Sequence, residues 1–215
     1  MNKRLGTQTV QLETPVTILS SAAIVGQKEK DGPLGTSFDV IMPDAEWNET
    51  TWEKTESKMQ RECVRIAAQK VGLLPTDMDY IFAGDLLNQC IGAAFGLREL
   101  GIPFFGIYGA CSTMIEGISL GSMLIDGGFA NRIAAVTSSH FCTAERQYRM
   151  PLEYGGQRPP TAQWTVTGAG SAILASDGNG PYVTHITTGK IMDMGVKDAN
   201  NMGGAMAPVS VKLTP

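Results

Sequence analysis

The chain predicts an α/β fold, and three observations carry that prediction. Short apolar runs bounded by turn residues alternate with segments whose apolar residues recur at helical spacing. The 25 glycines are spread among those runs, where they suit tight strand–helix turns. At 215 residues, with 43% hydrophobic and 18% charged side chains, the chain is long enough to bury a substantial core, in one domain or two.

Val16 to Val25 is an apolar-rich run closed by Gly26 and predicts a buried strand. Residues 27–50 carry charges, a Gly-Pro pair and little periodicity, the mark of a long loop. From Thr51 to Val71 a helix is expected, because Met59, Cys63, Ile66, Ala67 and Val71 share one face and Gly72 supplies the stop. Leu73 to Asp79 is a turn. Tyr80 to Gly84 is a short strand with Asp85 at its C-terminal end, followed by a helix running through Ala93 to Leu100. Ile102 to Tyr108 reads as another buried strand. Between Ser112 and Asp126 only Glu116 and Asp126 are charged, and small residues intersperse Ile118, Leu120, Met123 and Leu124; this is the pattern of a buried helix packed closely on another. Thr113 and Glu116 stand at capping-box spacing at its start, and Gly127 and Gly128 end it. Arg132 to Thr137 is a buried strand, residues 140–166 a polar loop, and Thr167 to Ala175 and Tyr182 to Ile191 two more strands.

Composition excludes several function classes. A net charge of −4 gives no electrostatic reason to bind nucleic acid or anionic lipid. Cys63, Cys90, Cys111 and Cys142 form no CxxC pair and have no histidine at ligand spacing, which argues against a structural zinc and for a reducing compartment. The first nine residues lack the apolar core of a signal peptide, and Arg98 and Glu99 interrupt the best candidate for a membrane span. No motif calls for a cofactor or a resident metal.

The segment Tyr108-Gly109-Ala110-Cys111-Ser112-Thr113 is the most informative in the chain. It takes a strand through two small residues to a cysteine at the mouth of a helix. There, unpaired backbone N–H groups and the helix dipole favour the thiolate. Cys111 is therefore either a nucleophile or a small thiol filling space at a tight turn. Asp85, at the end of the neighbouring strand, is either the cap of the helix that follows or an acid beside the thiol, where its charge would raise the thiol pKa. His140 follows a strand end on the edge where pockets form in such folds; the alternative is a hydrogen-bonded histidine beneath the loop. Cys63, Cys90 and Cys142 are read as core or near-core thiols, and Gly109, Gly168 and Gly170 as backbone necessities.

Asp79 to Asp85, Gly106 to Thr113, Ile133 to Ser139 and Gly168 to Leu174 occur in the order and spacing of the thiolase-like condensing enzymes, the superfamily of thiolases and ketoacyl synthases. Within it the stretch 84–89, the cysteine turn and the loop from Glu145 through Arg149, Tyr154 and Pro160 to Gly170 resemble a sporulation branch, with the match running to about Pro208. The resemblance implies a layered α-β-α-β-α fold of two similar halves. Residues 1–176 would be a complete first half and 177–215 the start of a second, truncated one. It also implies a homodimer paired through the first-half sheet edge.

For function, the resemblance implies a non-catalytic protein that binds dipicolinic acid, a small aromatic dicarboxylate, free or as its calcium complex. It would act in uptake during sporulation and release at germination, beside membrane proteins of the same channel assembly, peripherally at the inner spore membrane. The alternative is an acyltransferase acylated on Cys111 from a CoA or carrier-protein thioester. That mechanism needs a second-half histidine, or a His/Asn pair, at positions past residue 215. A dianionic ligand needs N–H donors or cations. The helix start at Cys111 and Ser112 would supply donors. Arg149, with Arg146 and Arg158, would supply charge, unless these are solvated surface arginines. Asp85 or Asn88 would meet calcium, and His140 would line the same pocket.

Overall fold

The computed structural model describes residues 3–148, 165–197, 203–204 and 206. In chain order the elements are β1 (Arg4–Leu5), β2 (Thr9–Val25), α1 (Gln27–Lys30), β3 (Val40–Ile41), α2 (Trp52–Lys70), β4 (Tyr80–Gly84), α3 (Ile91–Leu97), β5 (Phe104–Gly106), α4 (Thr113–Asp126), β6 (Arg132–Ser139), α5 (Phe141–Tyr148), β7 (Gly168–Ala175) and β8 (Tyr182–Thr187). The chain divides into two compact units, Leu12–Thr184 and the pair of segments Met1–Gln11 and His185–Pro215.

In the larger unit the strands lie in the order β2-β7-β6-β4-β5. β4 pairs in parallel with both β5 and β6, while β7 runs antiparallel to β6 and to β2. Side chains alternate between the two faces of each strand. Ile81 and Ala83 of β4, Ala134 and Val136 of β6 and Ile173 of β7 join one core with Met59, Cys63, Val64 and Ala67 of α2. The opposite face, with Phe82, Ile133, Ala135 and Leu174, receives α4. Gly117 and Gly121 bring the α4 backbone so close that a Cβ at either would press on Ala135, Ile133 or Leu174. The sheet is thus covered by helices on both faces.

In the smaller unit, β1 pairs antiparallel with the start of β2, Arg4 opposite Val10 and Leu5 opposite Thr9. The Thr9 and Thr187 hydroxyls lie 2.9 Å apart, the Thr188 N–H donates to the Gln8 carbonyl at 3.0 Å, and Ile186 is buried.

The helix expected from Thr51 is present. Thr51 caps it by accepting from the Lys54 N–H, and Met59, Cys63 and Ala67 are buried as their spacing requires. Five expectations need correction. The segment 27–50 is not a bare loop, since it holds α1, a 3₁₀ turn at Gly35–Ser37 and β3, which extends β2 in parallel. Residues 140–166 open with a helix, α5, in place of a loop from the start. The strand at 102–108 shortens to β5, which is exposed because it forms the sheet edge and has β4 as its one strand neighbour among the described residues. α4 is buried on one face only. Its glycine face packs on the sheet, while Ile115 is 63% exposed and Leu120 also reaches solvent. Its capping box does not form either. Ser112 holds the N-cap position and donates to the Gly109 carbonyl, and the Thr113 hydroxyl donates to the Ala110 carbonyl.

One close approach holds the β4 end against the cysteine turn. A Cβ on Gly84 would overlap the Ile107 carbonyl and collide with the Thr113 methyl. Gly84→Ala is therefore expected to lower stability by roughly 1–3 kcal/mol. Urea unfolding followed by circular dichroism measures it, and an unchanged midpoint would contradict the packing.

Candidate functional site

The C-terminal ends of the parallel strands β4, β5 and β6 lie along one edge of the sheet, where α/β folds place their pockets. The loops leaving β4 and β5 meet there. The Ile107 N–H donates to the Ala83 carbonyl at 2.9 Å, the Tyr108 hydroxyl reaches the Leu86 carbonyl at 3.4 Å, and the Cys90 thiol reaches the Ile107 carbonyl at 3.4 Å. Three non-glycine residues in these loops adopt left-handed backbone: Gln89 (φ 55°), Cys90 (φ 52°) and Ala110 (φ 48°). Such positions cost on the order of 1–2 kcal/mol each and persist only where the surroundings impose them. Their clustering on the two loops marks the β4–β5 edge as a built region. Gly109 has an ordinary negative φ of −122° and is required for room instead, since a Cβ there would strike the Ser112 hydroxyl and the Glu116 carboxylate.

Cys111 and Ser112 stand exposed at the start of the turn that leads into α4. The helix mouth offers fewer donors than the sequence suggests. The Ser112 and Thr113 N–H groups turn back to the Gly109 and Ala110 carbonyls. Asn88 is exposed on the facing loop. Asp85 is 1% exposed, and both its oxygens are engaged: Oδ1 accepts from the Leu87 N–H at 2.8 Å and Oδ2 from the Ala93 N–H at 2.7 Å. Burial raises its pKa against the pull of those two N–H groups. Asp85 thus organises the loop from beneath, and the groups it presents to solvent at this edge are those of its neighbours. Among the described residues no cluster of three or more His, Cys, Asp or Glu side chains could hold a metal ion.

His140 lies apart from this pair of loops. It is buried, stacked on Trp52 with ring centroids 6.3 Å apart. Its Nδ1 accepts from the Cys142 N–H at 3.2 Å, so Nε2 carries the proton and donates to the Ala45 carbonyl at 2.8 Å. Burial lowers its pKa, in keeping with a neutral ring. It lines a cavity of about 210 Å³ with Met42, Ala45, Cys142 and Thr167. Arg146 is paired with Glu53. Arg149 and Arg158 lie outside the described residues. The structure therefore brings together Asp85, Asn88, Cys111 and Ser112, and sets His140 in a neighbouring cavity.

A buried polar cluster was missed by counting apolar residues alone. Glu56 and Gln60 of α2 are fully buried. The Ser138 hydroxyl donates to Glu56 Oε1 at 2.8 Å and accepts from Gln60 Nε2 at 2.6 Å; Gln60 Nε2 also reaches the Gly84 carbonyl at 3.2 Å. Thr143 Oγ1 lies 3.0 Å from Glu56 Oε2. Burial is the largest influence on Glu56, with the Asp85 charge adding to it, and its pKa is pushed up to about 7. The signal was present in the spacing: Glu56, Met59, Gln60 and Cys63 follow one helix face, two polar residues among apolar ones.

The four thiols should separate by reactivity. Cys63 is buried, donates toward the Ala22 carbonyl at 3.2 Å, and burial pushes its pKa up to about 12. Iodoacetamide added to the native protein is expected to modify Cys111 first and Cys63 only on unfolding. Peptide mass mapping over time checks this, and equal labelling of the two would contradict it.

A family model described as Stage V sporulation protein AD matches residues 6–214. The chain is 45% identical over 208 residues to Stage V sporulation protein AD of Bacillus subtilis, covering 97% of this chain and 62% of that protein. It spans about three-fifths of the length of that curated relative. Among solved structures it is similar to the 3-oxoacyl-(acyl-carrier-protein) synthase III of Aquifex aeolicus, with a TM-score of 0.54 at 16% identity over 76% of this chain and 55% of the other. It is also similar to a priming β-ketosynthase of a polyketide pathway, with a TM-score of 0.50 at 18% identity over 80% and 52% of the two chains. At these identities the likeness is one of fold: the layered, thiolase-like α/β architecture.

Proposed function

The chain belongs to the stage V sporulation protein AD family, a thiolase-like sporulation family, and from that premise we propose that it is a non-catalytic binding protein for dipicolinic acid, free or as its calcium complex. In this reading it serves dipicolinate uptake during sporulation and release at germination, peripherally at the inner spore membrane beside the membrane proteins of its channel. Among the described residues no helix is long and apolar enough to cross a membrane.

The observation that carries the proposal is membership of the sporulation family, with 45% identity over 208 residues to its Bacillus subtilis member. Both ring nitrogens of His140 are committed to backbone groups, so the acyltransferase reading rests on a second-half histidine for its base. The ligand would sit on the β4–β5 edge, over Cys111, Ser112 and Asn88, with Asp85 holding the loop beneath. Arg149 and the second-half groups would complete the charge. We also propose that the exposed β5 edge, with Phe104 and Phe105, pairs two copies as a homodimer. Light scattering of the native protein is expected to give twice the chain mass, and Phe105→Asp to give the monomer.

The second reading, an acyltransferase, is favoured by one feature, the exposed Cys111 behind the left-handed Ala110. Titration calorimetry and intact mass separate the two. The proposal expects dipicolinate binding that weakens several-fold in Asn88→Ala and no mass gain with acetyl-CoA. An acetyl adduct that disappears in Cys111→Ser would overturn it in favour of the enzyme. Equal affinity for free dipicolinate and its calcium complex would remove the metal from the ligand.

A further inference from the structure

His140 makes two backbone bonds that hold together only while its ring is neutral. It is the residue before α5, and its carbonyl accepts the first bond of that helix, from the Ala144 N–H at 2.9 Å. The first N–H groups of a helix have no partner within it. Here the Phe141 N–H donates to the Thr167 hydroxyl at 2.9 Å and the Cys142 N–H to His140 Nδ1 at 3.2 Å. On the other side of the ring, Nε2 donates to the Ala45 carbonyl at 2.8 Å, and Trp52 at the start of α2 stacks on the imidazole. One buried side chain thus ties α5 to the segment that precedes α2.

A charged ring cannot keep this arrangement. Imidazolium carries a proton on each nitrogen and has no acceptor. Its Nε2–H still serves Ala45, but its Nδ1–H would face the Cys142 N–H, donor against donor, and a backbone N–H can only donate. The charge would also stand at the positive end of α5. The acids around the ring have other donors. Glu46 takes the Trp52 indole N–H, Asp44 the Glu46 and Trp47 N–H groups, and Glu53 pairs with Arg146. Glu56 accepts from Ser138, Glu145 from Thr165, and Glu29 Oε1 from the Thr167 N–H. Glu29 Oε2 has no hydrogen-bond partner among the described residues, and turning Nδ1 towards it would take the ring off the helix. Lys28, a further positive charge, shares the cavity wall, and β7 carries no ionisable side chain. Burial raises the pKa of the Cys142 thiol, which therefore stays neutral in acid. On the ring itself burial is the largest influence and opposes the charge, against the pull of Glu46 and Glu29.

We propose that His140 is an acid-released clasp. As a neutral ring it caps α5 and holds it to the Ala45 segment. Taking up a proton from solvent breaks the cap, frees the first turn of α5 and loosens the cavity wall that Phe141 and Cys142 form. The sign follows from a pKa that folding lowers. The contribution of the neutral ring to folding is fully present above its unfolded value of 6.5 and is lost as pH falls through the folded value.

Nitrogen-15 NMR of the full chain reads the charge of the ring, and hydrogen exchange by mass spectrometry, corrected for the intrinsic effect of pH, reads the helix. The chain has two histidines, so His185→Gln leaves the signals of His140 alone. Above pH 6.5 the ring should show the neutral Nε2–H form. As acid protonates it, peptides covering 141–148 should lose about fivefold in protection, the measure of a lost helix cap, while those from α4 hold theirs. A protonated ring with α5 still fully protected, or an equal loss in α4, overturns the proposal. In His140→Asn, whose side-chain oxygen caps at every pH, protection should stay flat. The Glu56 carboxyl titrates in both proteins, so the same fall in the variant also overturns the clasp. If the variant fails to fold, the native protein decides. Loss of protection with its midpoint within about one unit of the ring titration supports the clasp, and a midpoint farther away overturns it.

Discussion

The missing side chain of Gly84 is the constraint on which the β4–β5 edge of this molecule rests. It ends β4 with its α-carbon against the Ile107 carbonyl and the Thr113 methyl. That contact draws the loop carrying Asp85 and Asn88 up to the turn carrying Cys111. The same residue offers its carbonyl to Gln60, so the exposed turn and the buried Glu56 cluster are joined through one backbone unit. With any Cβ in that place the two loops would have to part, and the left-handed backbone at Gln89, Cys90 and Ala110 would lose the packing that imposes it.

Beneath the edge the protein spends much of its polar bonding on itself. Asp85, Glu56, Gln60, Ser138 and Thr143 are all buried, and an unpaired group among them would cost several kcal/mol of desolvation, of the order of 2–7. They are tolerable because nearly every atom has a partner, although Gln60 Oε1 lacks one among the described residues. The arrangement ties α2, the ends of β4 and β6 and the first turn of α5 into one unit. At the β4–β5 edge above it, Cys111, Ser112 and Asn88 are exposed.

The likeness to synthase III structures is a statement about this frame. A frame that presents a cysteine at a helix mouth does not by itself supply a base, an oxyanion donor or an acyl channel. His140, the histidine nearest in sequence to the strand-end edge, faces the Ala45 carbonyl.

Hydrophobic period and turn chemistry were enough to read β2, α2, β4, β6 and β7 and to single out Cys111, because each depends on residues close along the chain. The face of α2 shows the limit. Met59, Cys63 and Ala67 could be assigned to the core from spacing, but Glu56 and Gln60 on the same face acquire their meaning from Ser138 and Thr143, which lie 82 and 87 residues away from Glu56. Likewise, the apolar strand read at 102–108 and the apolar helix read at 112–126 look buried in the sequence. Whether they are is a matter of what lies beside them: β5 has one strand partner among the described residues, and α4 buries one face, with Gly117 and Gly121 against the sheet, and leaves Ile115 and Leu120 to solvent. Asp85 is the sharpest case. Its position at a strand end was legible, but only the folded loop turns both its oxygens towards backbone N–H groups and makes it a support in place of a contact. The sequence by itself determined the central strands and α2, the family and the cysteine at the helix mouth. Burial, hydrogen-bond partners and proton location were decided by tertiary structure, since each depends on groups that folding alone brings within reach.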